Sequence, residues 1–241
     1  MKIALILLSF GIFSCFPINN FSKEKPKKNF QEIRMKMVEE QIKSRGVSDP
    51  LVLKAMEKVK RHQFVETELQ EAAYEDHPLP IGEGQTISQP YIVASMTELL
   101  QLKGGEKILE VGTGSGYQAA VLAEIVREVY TIEIIPELAL KAKKNLEANK
   151  YKKVYVKTGD GYLGWPEMAP FDGILVTAAP DHIPKPLVEQ LNPGARMVIP
   201  VGPTYQVQYL KVIEKNKNGS IKEDIQYPVR FVPLTREKNN N

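Results

Sequence analysis

Apolar residues recur along this chain with two periods, and the change from one to the other lays out its elements. Between Asn29 and about Arg45 they return at helical spacing (Ile33, Met37, Val38, Ile42), with Asn29 as N-cap and Gly46 as terminator. Val52, Leu53, Met56 and Val59 predict a second helix, capped by Ser48, with Pro50 in the first turn where a missing N–H costs nothing. Residues 63–83 are less regular, and Tyr74 to Gly82 has the proline and glycine density of a fixed loop. Residues 92–102 are periodic again, with Ser88 placed to cap and Pro90 at an early helical position.

Beyond Gly104-Gly105 the pattern alternates. An apolar run (Ile108, Leu109, Val111) breaks into Gly112-Thr113-Gly114-Ser115-Gly116, then come a helix over 119–126 and a strand over 128–133. A helix from Pro136 (Leu138, Leu140, Ala142, Leu146), a short strand over 154–156 and a buried apolar run over 171–179 follow. Residues 184–191 read as helix, Asn192-Pro193-Gly194 as a turn, and 196–201 as a strand closed by Gly202. From Gln206 on, two alternating runs flank Asn218-Gly219, a strong hairpin dipeptide. The expected class is α/β, with a doubly wound, mostly parallel, Rossmann-like sheet, N-terminal helices and an antiparallel C-terminal hairpin.

The first strand–loop–helix–strand unit is where chemistry concentrates. Glycines are needed where a chain turns sharply out of a strand and where its backbone approaches a ligand. Glu133, ending the second strand, stands where a ribose hydroxyl pair would lie. The dinucleotide fingerprint would place its third glycine at position 117, but Tyr117 occupies it and the glycine is Gly116, which argues against NAD. Asp160, between Gly159 and Gly161 after the third strand, is positioned to accept from an adenine amino group. A glycine-rich turn without a ligand and a plain Asp-Gly turn are the alternative readings.

With 241 residues, 43% of them apolar and 25% charged, the chain supports one sizeable α/β core. The expected division is a lead over 1–28, one domain over 29–235 and a tail over 236–241. A net charge of +3, with lysines gathered near the amino terminus and at 215–217, reads as solvated surface, so no nucleic-acid partner is expected. Residues 3–13 form a short apolar core after Met1-Lys2, too short to span a bilayer comfortably, and the single cysteine, Cys15, follows it. Export or lipid anchoring through Cys15 competes with an over-extended start and true initiation at Met35 or Met37. One cysteine allows no internal disulfide, and His62, His77 and His182 have no ligand spacing, so no metal is expected.

Gly-x-Gly-x-Gly preceded by Glu110 resembles the first motif of S-adenosylmethionine-dependent methyltransferases. Together with Gly84-Gln85-Thr86-Ile87-Ser88-Gln89-Pro90 and Gly159-Asp160-Gly161, the chain resembles the protein-L-isoaspartate O-methyltransferase family from about Met37 to Pro233. Gly194-Ala195 departs from it, since the family usually has two glycines there. The resemblance implies methyl transfer from S-adenosylmethionine to the free α-carboxylate of L-isoaspartyl residues in damaged proteins and peptides. It further implies that Ser88 donates to that carboxylate beside Thr86 and Ile87, and that Gly112, Gly114 and Gly116 cradle the methionine end. Glu110 would then support the amino group directly or through water, Glu133 take the ribose, and Asp160 with Gly161 face the adenine. A monomeric cytoplasmic enzyme is the expectation, because the cosubstrate is made and kept in the cytoplasm. The rival readings are a methyltransferase for a small molecule or nucleic acid, and an exported module without catalysis.

Overall fold

The computed structural model describes residues 29–204 and 206–236. Residues 3–13 and Cys15, on which the export reading rests, lie outside them. Helix α1 (Phe30–Met37) starts on Asn29, whose side chain accepts from the Gln31 and Glu32 amides, and runs through a π turn (Val38–Ile42) and a 3₁₀ turn (Lys43–Arg45) to left-handed Gly46. Its apolar face, with Met37, Val38 and Ile42, is buried as the periodicity predicts. Helix α2 (Pro50–Lys58) is capped by Asp49, whose Oδ1 accepts from the Leu51 and Val52 amides. Ser48, the expected cap, instead donates its backbone N–H to Glu98 Oε1 at 2.7 Å. Asp and Ser cap comparably, and the tertiary bond to Glu98 sets the frame one residue on.

The stretch read as a fixed loop contains a hairpin, β1 (Leu79–Gly82) and β2 (Gln85–Ile87), turned by Gly82, Glu83 and Gly84, all at positive φ. Helix α3 (Pro90–Leu99) follows. Then come β3 (Lys107–Val111), α4 (Tyr117–Ala123), β4 (Glu128–Glu133), α5 (Pro136–Ala148), β5 (Val154–Thr158), β6 (Phe171–Val176), α6 (Lys185–Glu189), β7 (Leu191–Val201), β8 (Gln208–Lys215) and β9 (Ile221–Val229). Asn192-Pro193-Gly194, expected as a turn before the fifth strand, lies inside β7, where a register shift against β6 between Phe171 and Gly173 absorbs it. A bulge can carry a proline and a left-handed glycine without ending the strand. Ala195, where the pattern departs from the family, keeps negative φ.

Among the described residues β3 to β9 form one sheet in the order β5-β4-β3-β6-β7-β8-β9, parallel from β5 through β7 and antiparallel at β8 and β9. The chain winds outward from β3 to β5, then crosses to β6 on the other side. That reversal opens a crevice at the carboxyl ends of β3 and β6, where open α/β sheets bind ligands. β3 is buried throughout after its first residue, as fits a central strand, and its one polar residue past Lys107, Glu110, is buried with it. Among the described residues no helix is long and apolar enough to cross a membrane.

Candidate functional site

An open cleft lies over the β3–β6 crevice, lined by residues of both strand ends. Its floor is the glycine loop. Gly112 sits at φ 98°, and a Cβ there would lie 2.4 Å from Thr177 Oγ1, so only glycine fits. The loop is held from both neighbouring strand ends: Gly112 N–H donates to Ile132 O at 2.8 Å, and the Thr177 hydroxyl donates to Gly112 O at 2.6 Å. The site therefore offers backbone at close approach rather than side chains.

Gly114 N–H donates to Glu133 Oε2 at 2.8 Å, and Ile135 N–H donates to Oε1 at 3.1 Å. Glu133 is thus fixed at the end of β4 with both oxygens anchored, lining the cleft and retaining lone pairs for a ligand's hydroxyls. Gly116 does not line the cleft. It is the left-handed residue before α4, and its missing Cβ clears Leu146 Cγ, which would be 3.1 Å away, and Ala142 O at 3.4 Å. Its glycine serves the packing of α4 on α5, because the peptide has already turned into the helix there.

Glu110 does not line the cleft either. Fully buried on β3, it accepts from the Thr131 hydroxyl at 2.5 Å, and its Oε1 has no partner. Burial pushes its carboxyl up to about 8, the Thr131 bond opposes this, and Glu133 adds to it. Asp160 caps the turn 161–163, its Oδ1 accepting from Tyr162 N–H at 2.8 Å, and stays outside the lining. Gly161 does form the wall, packed so close that a Cβ would be 2.5 Å from Val111 Cγ1. Asp160 thus caps its turn through Oδ1, and its neighbour Gly161 forms the wall.

Thr86, Ile87 and Ser88 all line the cleft, with Gln85. The hairpin carrying them is held by Lys141, whose Nζ donates to Ile81 O at 2.9 Å and pairs with Glu66. Ile81 in turn packs over the glycine loop, 3.2 Å from where a Gly114 Cβ would stand. Ser88 does not cap α3: the N-cap position is Gln89, without a side-chain bond to the helix, and its Nε2 donates to Asp76 Oδ1 at 2.9 Å. The Ser88 hydroxyl has no hydrogen-bond partner among the described residues and is left to the cleft, half-buried.

The sequence pattern missed a third wall. After β9 the chain doubles back over the carboxyl edge of the sheet, where Ala179 N–H donates to Val232 O and Leu234 N–H donates to Ala179 O, both at 2.8 Å. Val232, Pro233, Leu234 and Thr235 line the cleft, and Gln208 holds the start of this strap through both backbone groups of Phe231. Thr177 and Ala178, small residues just past the end of β6, also line the cleft. No periodicity marks a strap whose only bonds are to residues distant in sequence. Among the described residues no cluster of His, Cys, Asp or Glu could hold a metal.

A profile of the protein-L-isoaspartate(D-aspartate) O-methyltransferase family matches residues 32–239. The chain is 58% identical over 207 residues to protein-L-isoaspartate O-methyltransferase 1 of Nitrosospira multiformis, spanning 85% of this chain and 88% of that one. It is 56% identical over 202 residues to the enzyme of that name from Gloeobacter violaceus, spanning 84% and 98%. Among solved structures it is similar to a protein-L-isoaspartate O-methyltransferase, with a TM-score of 0.77 and 29% identity over 85% of this chain and 66% of the other. It is also similar to a beta-aspartate methyltransferase from Plasmodium falciparum in complex with S-adenosyl-L-homocysteine, with a TM-score of 0.74 and 28% identity over 85% and 99%.

Proposed function

The chain belongs to the protein-L-isoaspartate(D-aspartate) O-methyltransferase family, and on that premise we propose the roles its cleft residues play in repair methylation. The enzyme transfers a methyl group from S-adenosylmethionine to the free α-carboxylate of L-isoaspartyl residues in damaged proteins. One observation carries the assignment: Thr86 and Ile87 of β2 and the adjacent Ser88 line the same cleft as the glycine loop and Glu133. Donor and acceptor then meet between them.

The donor side fits a nucleoside with a charged tail. Gly112 leaves backbone exposed where a Cβ could not fit, and Glu133 presents a fixed carboxylate to the ribose hydroxyls. Gly161, rather than the Asp160 carboxylate, walls the adenine. Bound there, S-adenosylmethionine supplies an electrophilic methyl group on a sulfonium. The acceptor carboxylate is ionised at neutral pH, so no general base is needed and none is required of the histidines. Ser88, with its hydroxyl unclaimed by the protein, donates to one carboxylate oxygen and leaves the other free to attack. Val232 to Thr235 and Ile87 exclude water around it.

A single catalytic domain over 29–235, acting as a cytoplasmic monomer, completes this reading; the cosubstrate's location supports the compartment. The test is methyl transfer from labelled S-adenosylmethionine to an isoaspartyl peptide beside its aspartyl twin. Label should enter the first alone, and equal labelling of both would overturn the acceptor assignment.

A further inference from the structure

Glu110 is not accounted for by the roles above. It is fully buried, only one of its oxygens has a partner, and it does not reach the cleft. A buried carboxylate with an unpaired oxygen is costly, and such a group is more stable as the neutral acid. It is nevertheless connected to the cleft. Thr131, its register partner on β4, lies 2.5 Å from Oε2, and the Thr131 hydroxyl lies 2.6 Å from that of Thr113, which lines the cleft.

The groups around it are few. From β4 come Thr131 and, two residues along on the same face, Glu133. β6 contributes Leu175 as register neighbour. The one charge acting on Glu110 is that of Glu133, of the same sign. Among the described residues, then, nothing supplies the counter-charge its ionised form would need.

We propose that Glu110 is the neutral acid in the free enzyme and loses its proton when the donor side is filled by S-adenosylmethionine, so that this buried carboxyl tells the cationic donor from the spent thioether. This rests on the donor-site reading above. The carboxyl is held up to about 8 by its burial, so it is protonated at neutral pH in the empty protein. The donor is the one ligand of the reaction bearing net positive charge, and an opposite charge nearby favours the carboxylate. With the Thr131 and Thr113 hydroxyls rotated to point toward the cleft, the proton has a route: from Glu110 Oε2 to Thr131, from Thr131 to Thr113, and from Thr113 to water in the cleft, each oxygen accepting one proton as it passes on its own. When the sulfonium charge is gone, Glu110 regains a proton from solvent by the same path and the charge-dependent part of the affinity is lost, which favours product release.

Linkage fixes the sign. With a free-enzyme value of about 8 and a lower one in the complex, donor affinity falls roughly tenfold for each pH unit below 8 until the complex itself protonates. Titration calorimetry at pH 7 in buffers of different ionisation enthalpy counts the protons directly. Wild-type protein should release a large fraction of a proton on binding S-adenosylmethionine and distinctly less on binding S-adenosylhomocysteine. Glu110→Gln, which mimics the neutral acid, should lose that release and flatten the pH profile; titration of the ligand's own amine cancels in the difference between the two proteins. Equal release by both proteins overturns the proposal. So does equal release with both ligands, a comparison that needs only the wild type. Binding without proton linkage refutes this inference alone, whereas no binding of either ligand refutes the donor-site reading with it.

Discussion

The donor wall and the acceptor wall of the cleft are assembled in different ways. The donor wall draws on Val111 to Ser115, Ile132 to Ile135 and Gly161, residues at the ends of three adjoining parallel strands that follow one another along the chain. The acceptor wall is formed by Gln85 to Ser88, on a hairpin outside the main sheet, and is completed by the strap Val232 to Thr235, whose Leu234 also lies beside Gly161 of the donor wall. One wall inherits its geometry from the sheet; the other depends on a few specific latches, namely Lys141 on Ile81, Gln208 on Phe231 and Ala179 on the strap. Rigid positions come cheaply where strands already end, and a binding surface for a protein chain needs edges that the sheet does not provide.

Gly116→Val should have the largest effect and cut across both walls. A branched residue at φ 88°, with Leu146 Cγ 3.1 Å from its Cβ, should cost about 3–4 kcal/mol in backbone strain and overpacking combined. Denaturant unfolding should show it as a lower midpoint with little change in slope. A variant as stable as wild type would mean that α4 and α5 are not locked through this glycine.

Glu133→Gln should break the donor wall alone. Losing charge-assisted bonds to two hydroxyls should weaken S-adenosylmethionine binding by roughly 1.5–3 kcal/mol. The acceptor KM at saturating donor should stay within about twofold, because a group that contacts only the donor contributes to binding of the donor alone. Unchanged donor affinity by calorimetry would remove the ribose assignment.

Ser88→Ala should mark the acceptor wall with a smaller loss. One hydrogen bond to a charged oxygen accounts for about 1.5–2.5 kcal/mol, seen in kcat and kcat/KM for the isoaspartyl peptide with donor affinity unchanged. Since Ser88 caps nothing, its melting temperature should match wild type, and a fall of several degrees would restore a capping role. Activity equal to wild type would leave Ser88 as lining only.

The smallest effect lies outside both walls and serves as a control for them. His62 stacks on Phe30 at 4.1 Å and accepts from the Tyr74 hydroxyl at 2.7 Å, and burial lowers it to about 4. Its folded value is depressed, so the stability it contributes is present above its ordinary 6.5 and is lost as pH falls toward 4. His62→Gln should make the stability–pH curve shallower in that window, with donor and acceptor constants at pH 8 unaltered. An unchanged acid slope would show that another group titrates there.

Glu128–Glu133 and the start of α5 at Pro136 were legible in the sequence to the residue, because apolar periodicity and a proline at the first helical turn are local signals. Glu133 and Gly112 were legible as residues of one cleft for the same reason: each sits at a strand end whose spacing the chain itself sets. The Asp49 cap, the β1–β2 hairpin and the continuity of β7 through Asn192-Pro193-Gly194 were not. In each case the local preference is nearly balanced, and a distant partner such as Glu98 or a neighbouring strand decides it.

The winding of the sheet, the place of its crevice and the kind of ligand its glycine loop admits follow from hydrophobic period and from where glycine alone fits, and both are written in the chain. Which named residues line the cleft depends on packing between distant segments. That packing turned Gly116 toward Leu146, sealed Glu110 beneath Thr131, left Ser88 unpaired and laid Val232 to Thr235 across the cleft. Side-chain direction at the end of an element depends on what packs against it, and that partner is chosen by contacts between residues far apart in the chain.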